Sequence, residues 1–267
     1  MKLLNPFPLR PQLPSLVYLP GMDGTGRLLH RQSESLAPFF NLHCLSLPAV
    51  SIHSWDEMAQ GVISLVSTKI KQQPVYLCGE SFGGCLALKI ALKKPEIVDK
   101  LILINPASSL RQASWLGLGI TLSHWLPEAV HQASTLGFLP LLASLSRIEA
   151  PDRRQLLQAM RSLPQSVVCS RLSLLYDFVV EPFQLQQFKQ PSLIIASGAD
   201  RLLASVEEGK RLQNFLPQAQ LEILPQSGHA CLLESQLNLT HILKNKNFLP
   251  LKIDKKGGLN SSILPLI

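Results

Sequence analysis

The chain has 267 residues, 46% of them hydrophobic and 16% charged, with a formal net charge of +7. That length holds one large α/β domain, or a core with an inserted lid, and the composition excludes a disordered chain. The positive charge admits anionic surfaces as partners, but no aromatic-interleaved basic stripe points to nucleic acid. The one basic cluster, Lys244, Lys246, Lys252, Lys255 and Lys256, reads as a solvated end, with a lipid-docking patch as the alternative.

In chain order, residues 1–14 carry four prolines and no apolar core of a leader, so no signal peptide is expected. Residues 15–19 read as a short buried strand. The loop Pro20-Gly21-Met22-Asp23-Gly24-Thr25-Gly26 closes it. It contains neither GxGxxG nor GxxxxGK[ST], so a phosphate cradle fits poorly. A loop that offers a backbone N–H to an oxyanion fits better, with a plain βα turn as the alternative. A helix is expected over 28–40 and a strand over 42–47. An amphipathic helix follows over 55–71, with Ser54 as its N-cap.

The next stretch organises the rest. The aliphatic run Val75-Tyr76-Leu77-Cys78 leads into Gly79-Glu80-Ser81-Phe82-Gly83, and a helical pattern covers residues 86–94. Strand, Gly-x-Ser-x-Gly and helix together describe a nucleophile elbow, a turn so tight that the serine takes a strained backbone conformation. Gly79 and Gly83 flank it because a Cβ at either place would clash as strand and helix approach. Glu80 reads as a surface carboxylate beside the helix N-terminus, with a functional role next to Ser81 as the alternative.

A further buried strand is expected over 101–105. Strands and helices alternating at short spacing imply a parallel sheet. The rhythm then breaks, and residues 108–190 offer helical apolar patterns, interrupted by prolines, with no convincing strand. A segment that long between two strands is no ordinary loop, and an inserted helical cap is the expectation. Its apolar load, in Trp115-Leu116-Gly117-Leu118-Gly119-Ile120 and Leu136-Gly137-Phe138-Leu139-Pro140-Leu141-Leu142, either roofs a greasy pocket or packs the cap onto the core. The sheet resumes over 192–196, with a helix over 206–215, a strand near 221–224 and a last helix over 232–244. Residues 245–267 read as a loosely held tail.

Serine needs a base to take its proton, and the base needs a third group to fix its tautomer. Of seven histidines, only His229 follows a terminal strand through a Gly-containing loop, Gln226-Ser227-Gly228. Asp200 holds the equivalent place after the preceding strand. The order Ser81, Asp200, His229 matches the Ser…Asp…His order of α/β-hydrolases. Phe82 and Met22 would supply the two oxyanion N–H groups. Asp200 could instead be a helix cap and His229 a loop residue. A rival acid after the 101–105 strand is excluded, because that place holds Asn105. His30, His124 and His131 read as structural, with pocket lining as the alternative. No HExxH or paired CxxC suggests a metal, and no cofactor is expected. Five widely spaced cysteines, mostly in apolar segments, suggest a reducing compartment. No apolar run is long enough to span a bilayer. The expected location is cytoplasmic, soluble or peripheral to a membrane.

These motifs resemble the esterase/lipase/thioesterase domain of the plastid and cyanobacterial phytyl ester synthase group. The match rests on Leu19-Pro20-Gly21-Met22-Asp23-Gly24-Thr25-Gly26, the elbow through Ala87, Asn105-Pro106-Ala107 and Ala196-Ser197-Gly198-Ala199-Asp200. It continues in Gly228-His229-Ala230-Cys231-Leu232-Leu233-Glu234. The resemblance, over roughly residues 15–244, implies an α/β-hydrolase fold, and the order of elements divides the chain into core residues 1–107 and 191–244 around a 108–190 cap, with a 245–267 tail. It implies acyl chemistry on small lipid-like substrates: phytyl esters, diacylglycerol, galactolipids or acyl thioesters. Plant members carry a second, acyltransferase-like domain, and no His-x4-Asp pair occurs here, which favours hydrolysis over ester synthesis. Transfer to a long-chain alcohol, a cofactor-free peroxidase and a non-catalytic ligand-binding module are the alternatives.

Overall fold

A strand covered on both faces is buried along its length and reads mostly as a hydrophobic run. The computed structural model, which describes residues 1–52, 54–70, 73–110 and 140–250, has five such strands. They are β2 (Ser15–Leu19), β3 (Asn41–Ser46), β4 (Val75–Glu80), β5 (Lys100–Ile104) and β6 (Ser192–Ser197), each buried over almost its whole length. β1 (Lys2–Leu4) and β7 (Ala219–Leu224) close the two edges of a seven-stranded sheet ordered β1-β3-β2-β4-β5-β6-β7. All pairings are parallel except that of β1 with β3.

Alternation along β2 sorts its side chains to opposite layers. Val17 and Leu19 join the cluster formed with α2 (Trp55–Lys69) and α3 (Phe82–Lys93), through Met58, Val62, Phe82, Leu86 and Ile90. Leu16 and Tyr18 join the cluster on the other face, with Leu36 of α1 (His30–Leu36) and Leu239 and Leu243 of the final helix. Burying each such side chain contributes about 1.5–3 kcal/mol, which makes the sheet the rigid element from which the loops project.

The order places β2 and β4 side by side, although the chain visits β3 between them. This reversal opens a crevice beyond the carboxyl ends of β2 and β4, where ligands bind in open α/β sheets. The glycine-rich loop leaves β2 there and Ser81 leaves β4 there. Between β5 and β6, among the described residues, the chain forms α4 (Ala150–Arg161), α5 (Gln165–Tyr176) and α6 (Pro182–Gln187). α7 (Ser205–Phe215) separates β6 from β7, and α8 (Leu239–Asn245) follows.

Several expectations need correction. The helix expected over 28–40 is only the seven residues of α1. The helix after the elbow begins at Phe82, so its first turn is the elbow itself. β1 lies in a stretch to which no element is assigned from sequence, because three residues carry too little periodicity to register. The helix expected over 232–244 is a 3-10 turn, Cys231–Leu233, followed after a break by α8. The break has a cause: Gln32 donates to the Leu232 and Leu237 carbonyls at 2.8 and 3.2 Å, and Asn238 caps α8 by accepting from His241 N. Residues 245–250 are not loose, since Phe248 is 2% exposed, packed edge-on to Tyr76 and under the Lys100 ammonium. The Trp115 stretch, most of the Leu136 stretch, His124, His131 and residues 251–267 lie outside the described residues.

Candidate active site

The elbow follows from sterics. A Cβ on Gly79 would lie 2.3 Å from the Gly83 carbonyl oxygen, and one on Gly83 would lie 2.1 Å from that of Leu19. Only glycine lets α3 start this close to β2 and β4. Ser81 absorbs the turn at φ 53, ψ −113, a conformation that costs a non-glycine residue on the order of 1–3 kcal/mol. Its backbone is held by a bond from Ser81 N to the Ile104 carbonyl at 2.9 Å, and its carbonyl accepts from Ala107 N at 3.1 Å.

The three residues singled out from the sequence meet here. His229 Nε2 lies 2.8 Å from Ser81 Oγ, and its Nδ1 lies 2.7 Å from Asp200 Oδ2. The imidazole and carboxylate are nearly sealed from solvent, with side-chain exposures of 6% and 1%. Burial would raise the Asp200 pKa. The charge and hydrogen bond of His229, the Ser205 hydroxyl and the Leu203 N–H outweigh it and hold the carboxyl below its ordinary range. Asp200 also accepts from Leu202 N at 2.9 Å and Leu203 N at 3.0 Å, so its orientation is fixed by the turn that carries it. The acid and histidine loops are themselves tied, through Ala199 N to the Ser227 carbonyl at 3.0 Å.

Phe82 is the first residue of α3, so its N–H has no carbonyl one turn earlier to bond. The glycine-rich loop lies beside it. A Cβ on Gly21 would sit 3.8 Å from that of Ser81, an ordinary contact, so Gly21 is not sterically required as Gly79 and Gly83 are. The Met22 carbonyl accepts from Arg171 Nη1 at 2.6 Å, and Arg171 Nη2 reaches the Pro48 carbonyl at 3.1 Å. Arg171, on α5, is 3% exposed. Burial lowers its pKa, while neighbouring Asp23, itself raised by burial, opposes that shift.

Glu80 is not the surface carboxylate that its place beside the helix suggests. It is 8% exposed, at the inward end of β4, and accepts a hydrogen bond from the Tyr18 hydroxyl. Burial pushes its pKa up to about 7 against the opposing effects of that bond and of His229. The Tyr18 pKa rises well above normal, by burial first and then by Glu80. Asn105, read only as a missing acid, has φ 43 and donates to the His229 carbonyl at 2.7 Å and Ser197 Oγ at 2.9 Å. Its position at the end of a central strand, in an amide tolerant of positive φ, was the available signal. His30 Nε2 is 2.7 Å from Asp152 on α4, away from the triad residues in the bonding network. Among the described residues, no group of three or more His, Cys, Asp or Glu is placed to hold a metal ion, and no helix is long and apolar enough to cross a membrane. All five cysteines are buried thiols.

The parallel sheet with its strand reversal, and the serine elbow on the turn after β4, define an α/β-hydrolase. Residues 48–236 match the hydrolase family described as serine aminopeptidase, S33, and the chain belongs to that family. Phytyl ester synthase 1, chloroplastic, of Arabidopsis thaliana is 28% identical over 261 residues, covering 86% of this chain and 36% of that protein. The chain thus spans little more than a third of the length of the two phytyl ester synthases that it matches. The pimeloyl-(acyl-carrier protein) methyl ester esterase of Vibrio campbellii is 30% identical over 231 residues, covering 82% of this chain and 89% of that one. Among solved structures, MenH from S. aureus superposes with a TM-score of 0.73 at 19% identity, over 90% of this chain and 97% of that one. The phytyl ester synthases bear out the resemblance read from the motifs, the methyl ester esterase supports an ester hydrolase, and MenH bears out the fold.

Proposed function

We propose that this chain is a serine hydrolase that cleaves ester or thioester bonds of small lipid-like acyl substrates through an acyl-Ser81 intermediate. The observation that carries the reading is one imidazole bonded on one side to Ser81 Oγ at 2.8 Å and on the other to Asp200 at 2.7 Å. His229 Nε2 takes the Ser81 proton as Oγ attacks the carbonyl carbon. Asp200 holds Nδ1–H and stabilises the imidazolium that forms. The N–H groups of Phe82 and Met22 receive the oxyanion. His229 then returns the proton to the departing alcohol or thiol. Water, deprotonated by the same imidazole, attacks the acyl carbonyl, and the imidazolium returns that proton to Ser81 Oγ as the acid leaves. No metal or cofactor enters these steps.

The choice of esters over peptides draws on the relatives, whose names describe a methyl ester esterase and phytyl ester synthases. We read residues 108–190 as the cap over this site, a reading supported by the three helices and the lack of a strand between β5 and β6 among the described residues. The similarity to phytyl ester synthase 1 across 86% of the chain favours a second reading, in which a long-chain alcohol replaces water as acceptor. That outcome needs a cap that keeps water from the acyl-enzyme.

A fluorophosphonate probe tests the reading. Wild-type protein is expected to label at Ser81 and to hydrolyse p-nitrophenyl acyl esters, with both properties lost in Ser81→Ala. Folded wild-type protein that neither labels nor turns over would refute it. Adding phytol to an acyl donor separates the two acceptors, because transfer yields a phytyl ester and hydrolysis only the free acid.

A further inference from the structure

The histidine loop is held at three successive residues by three different parts of the chain. Gly228 N donates to Glu234 Oε1 at 2.8 Å, the His229 carbonyl accepts from Asn105 Nδ2 at 2.7 Å, and Ala230 N donates to the Leu142 carbonyl at 2.8 Å. Of these holds, Glu234 is the charged one. Its side chain has 0% exposure and also accepts from Ser227 Oγ at 2.9 Å and from Arg147 Nε at 2.6 Å. Arg147 Nη1 reaches Gln226 Oε1 at 3.3 Å, at the start of the same loop. The Arg147 carbonyl accepts from Ser235 N at 2.9 Å, and Ile148 and Glu234 form an isolated bridge. The contact between the two segments is close: a Cβ on Gly228 would lie 2.6 Å from Ser144 N.

We infer that Glu234, with Arg147 as its counter-charge, is a positioning residue that fixes the backbone of the histidine loop and thereby the reach of His229 to Ser81. A buried carboxylate persists only where charge and hydrogen bonds replace its water. Here two of those bonds come from the two residues immediately before the base. Charge-assisted bonds are the stronger kind and fix geometry tightly. The inference rests on His229 being the base of the proposed hydrolase, but the loop geometry can be read without substrate.

The test uses the full chain as wild type, Glu234→Gln, Arg147→Met and Arg147→Lys. Three readouts are kept separate: kcat and KM on p-nitrophenyl butyrate, the thermal midpoint, and the NMR resonance of the His229 Nδ1 proton shared with Asp200. Glu234→Gln is expected to lower kcat roughly 10- to 100-fold with KM within about twofold, as a displacement of an ångström or less does. It should also shift or broaden the Nδ1 proton. Arg147→Met leaves the carboxylate and both loop donors in place and is expected to lose roughly three- to tenfold in kcat, with Arg147→Lys recovering most of it. A Glu234→Gln protein with a lower thermal midpoint but wild-type kcat and an unmoved Nδ1 proton would overturn the inference. If that variant does not fold, the same result in Arg147→Met overturns it. A wild type that lacks Ser81-dependent turnover would instead refute the hydrolase reading, and the Nδ1 resonance would still decide the role of Glu234.

Discussion

Glu80→Gln isolates one buried titration. The Glu80 carboxyl, 8% exposed and bonded by Tyr18, has its pKa raised from 4.5 to about 7, chiefly by burial. Between those two values the native state binds a proton that the unfolded chain does not, so stability falls as pH rises. The contribution is fully present below 4.5 and is lost as pH climbs through about 7. At about 1.36 kcal/mol per unit, that interval corresponds to about 3 kcal/mol. Glutamine is neutral at every pH and its carbonyl can still accept from Tyr18, so the variant lacks this loss. Urea unfolding of both proteins across the range gives the difference directly. Relative to wild type, the variant is expected to gain stability by about 3 kcal/mol between low and high pH, with most of the change between 4.5 and 7. Titrations of groups not coupled to Glu80, including the lowered Asp200, cancel in the difference. A difference that stays flat across that interval would refute the assignment of a buried, proton-holding Glu80.

Further outcomes follow from the same geometry. Asp200→Asn removes the charge that fixes the His229 tautomer, and kcat for ester hydrolysis is expected to fall about ten-thousand-fold while circular dichroism stays native. Arg171→Met strips the Met22 and Pro48 carbonyls of a donor. Steady-state kinetics should show kcat lower by roughly 10- to 100-fold, and denaturation a loss of about 2–4 kcal/mol. Phe248→Ala empties a site 2% exposed between Tyr76 and Lys100, and is expected to cost about 3–5 kcal/mol on unfolding with kcat unchanged well below the melting temperature.

The strands were legible because burial on both faces favours mostly apolar runs. The elbow was legible because Gly-x-Ser-x-Gly between strand and helix is a local pattern, although only Gly79 is forced from within that βα unit and Gly83 is forced by Leu19 of the neighbouring β2. Ser81, Asp200 and His229 were legible because each sits where a strand of a parallel sheet must end. Glu80 was misread: the rule that acids favour helix N-termini is local, and the side chain belongs to the end of β4, facing Tyr18 on the neighbouring strand. Glu234, Arg147 and Arg171 left no local trace. Their partners lie 87 residues away for Arg147 with Glu234 and 149 for Arg171 with Met22, and nothing in either segment encodes the meeting. The final helix was misjudged for the same reason, since Gln32 interrupts it from 200 residues away.

These long-range contacts bear on how the 140–176 stretch can behave. It is joined to the core at three places by charged groups: Arg147 at the histidine loop, Asp152 to His30 and Arg31 of α1 at 2.7 and 2.8 Å, and Arg171 at the glycine-rich loop. Lifting it as a unit would strand the Glu234 and Asp152 carboxylates and the Met22 and Pro48 carbonyls together. Each buried polar group left unpaired costs about 1–3 kcal/mol, and more where charged. A purely apolar roof could slide at a smaller and more even cost, but this one carries the bonds that orient the loops around Ser81. Residues 140–176 are therefore tied into the frame around Ser81, and the acyl substrates proposed above would have to enter without displacing them.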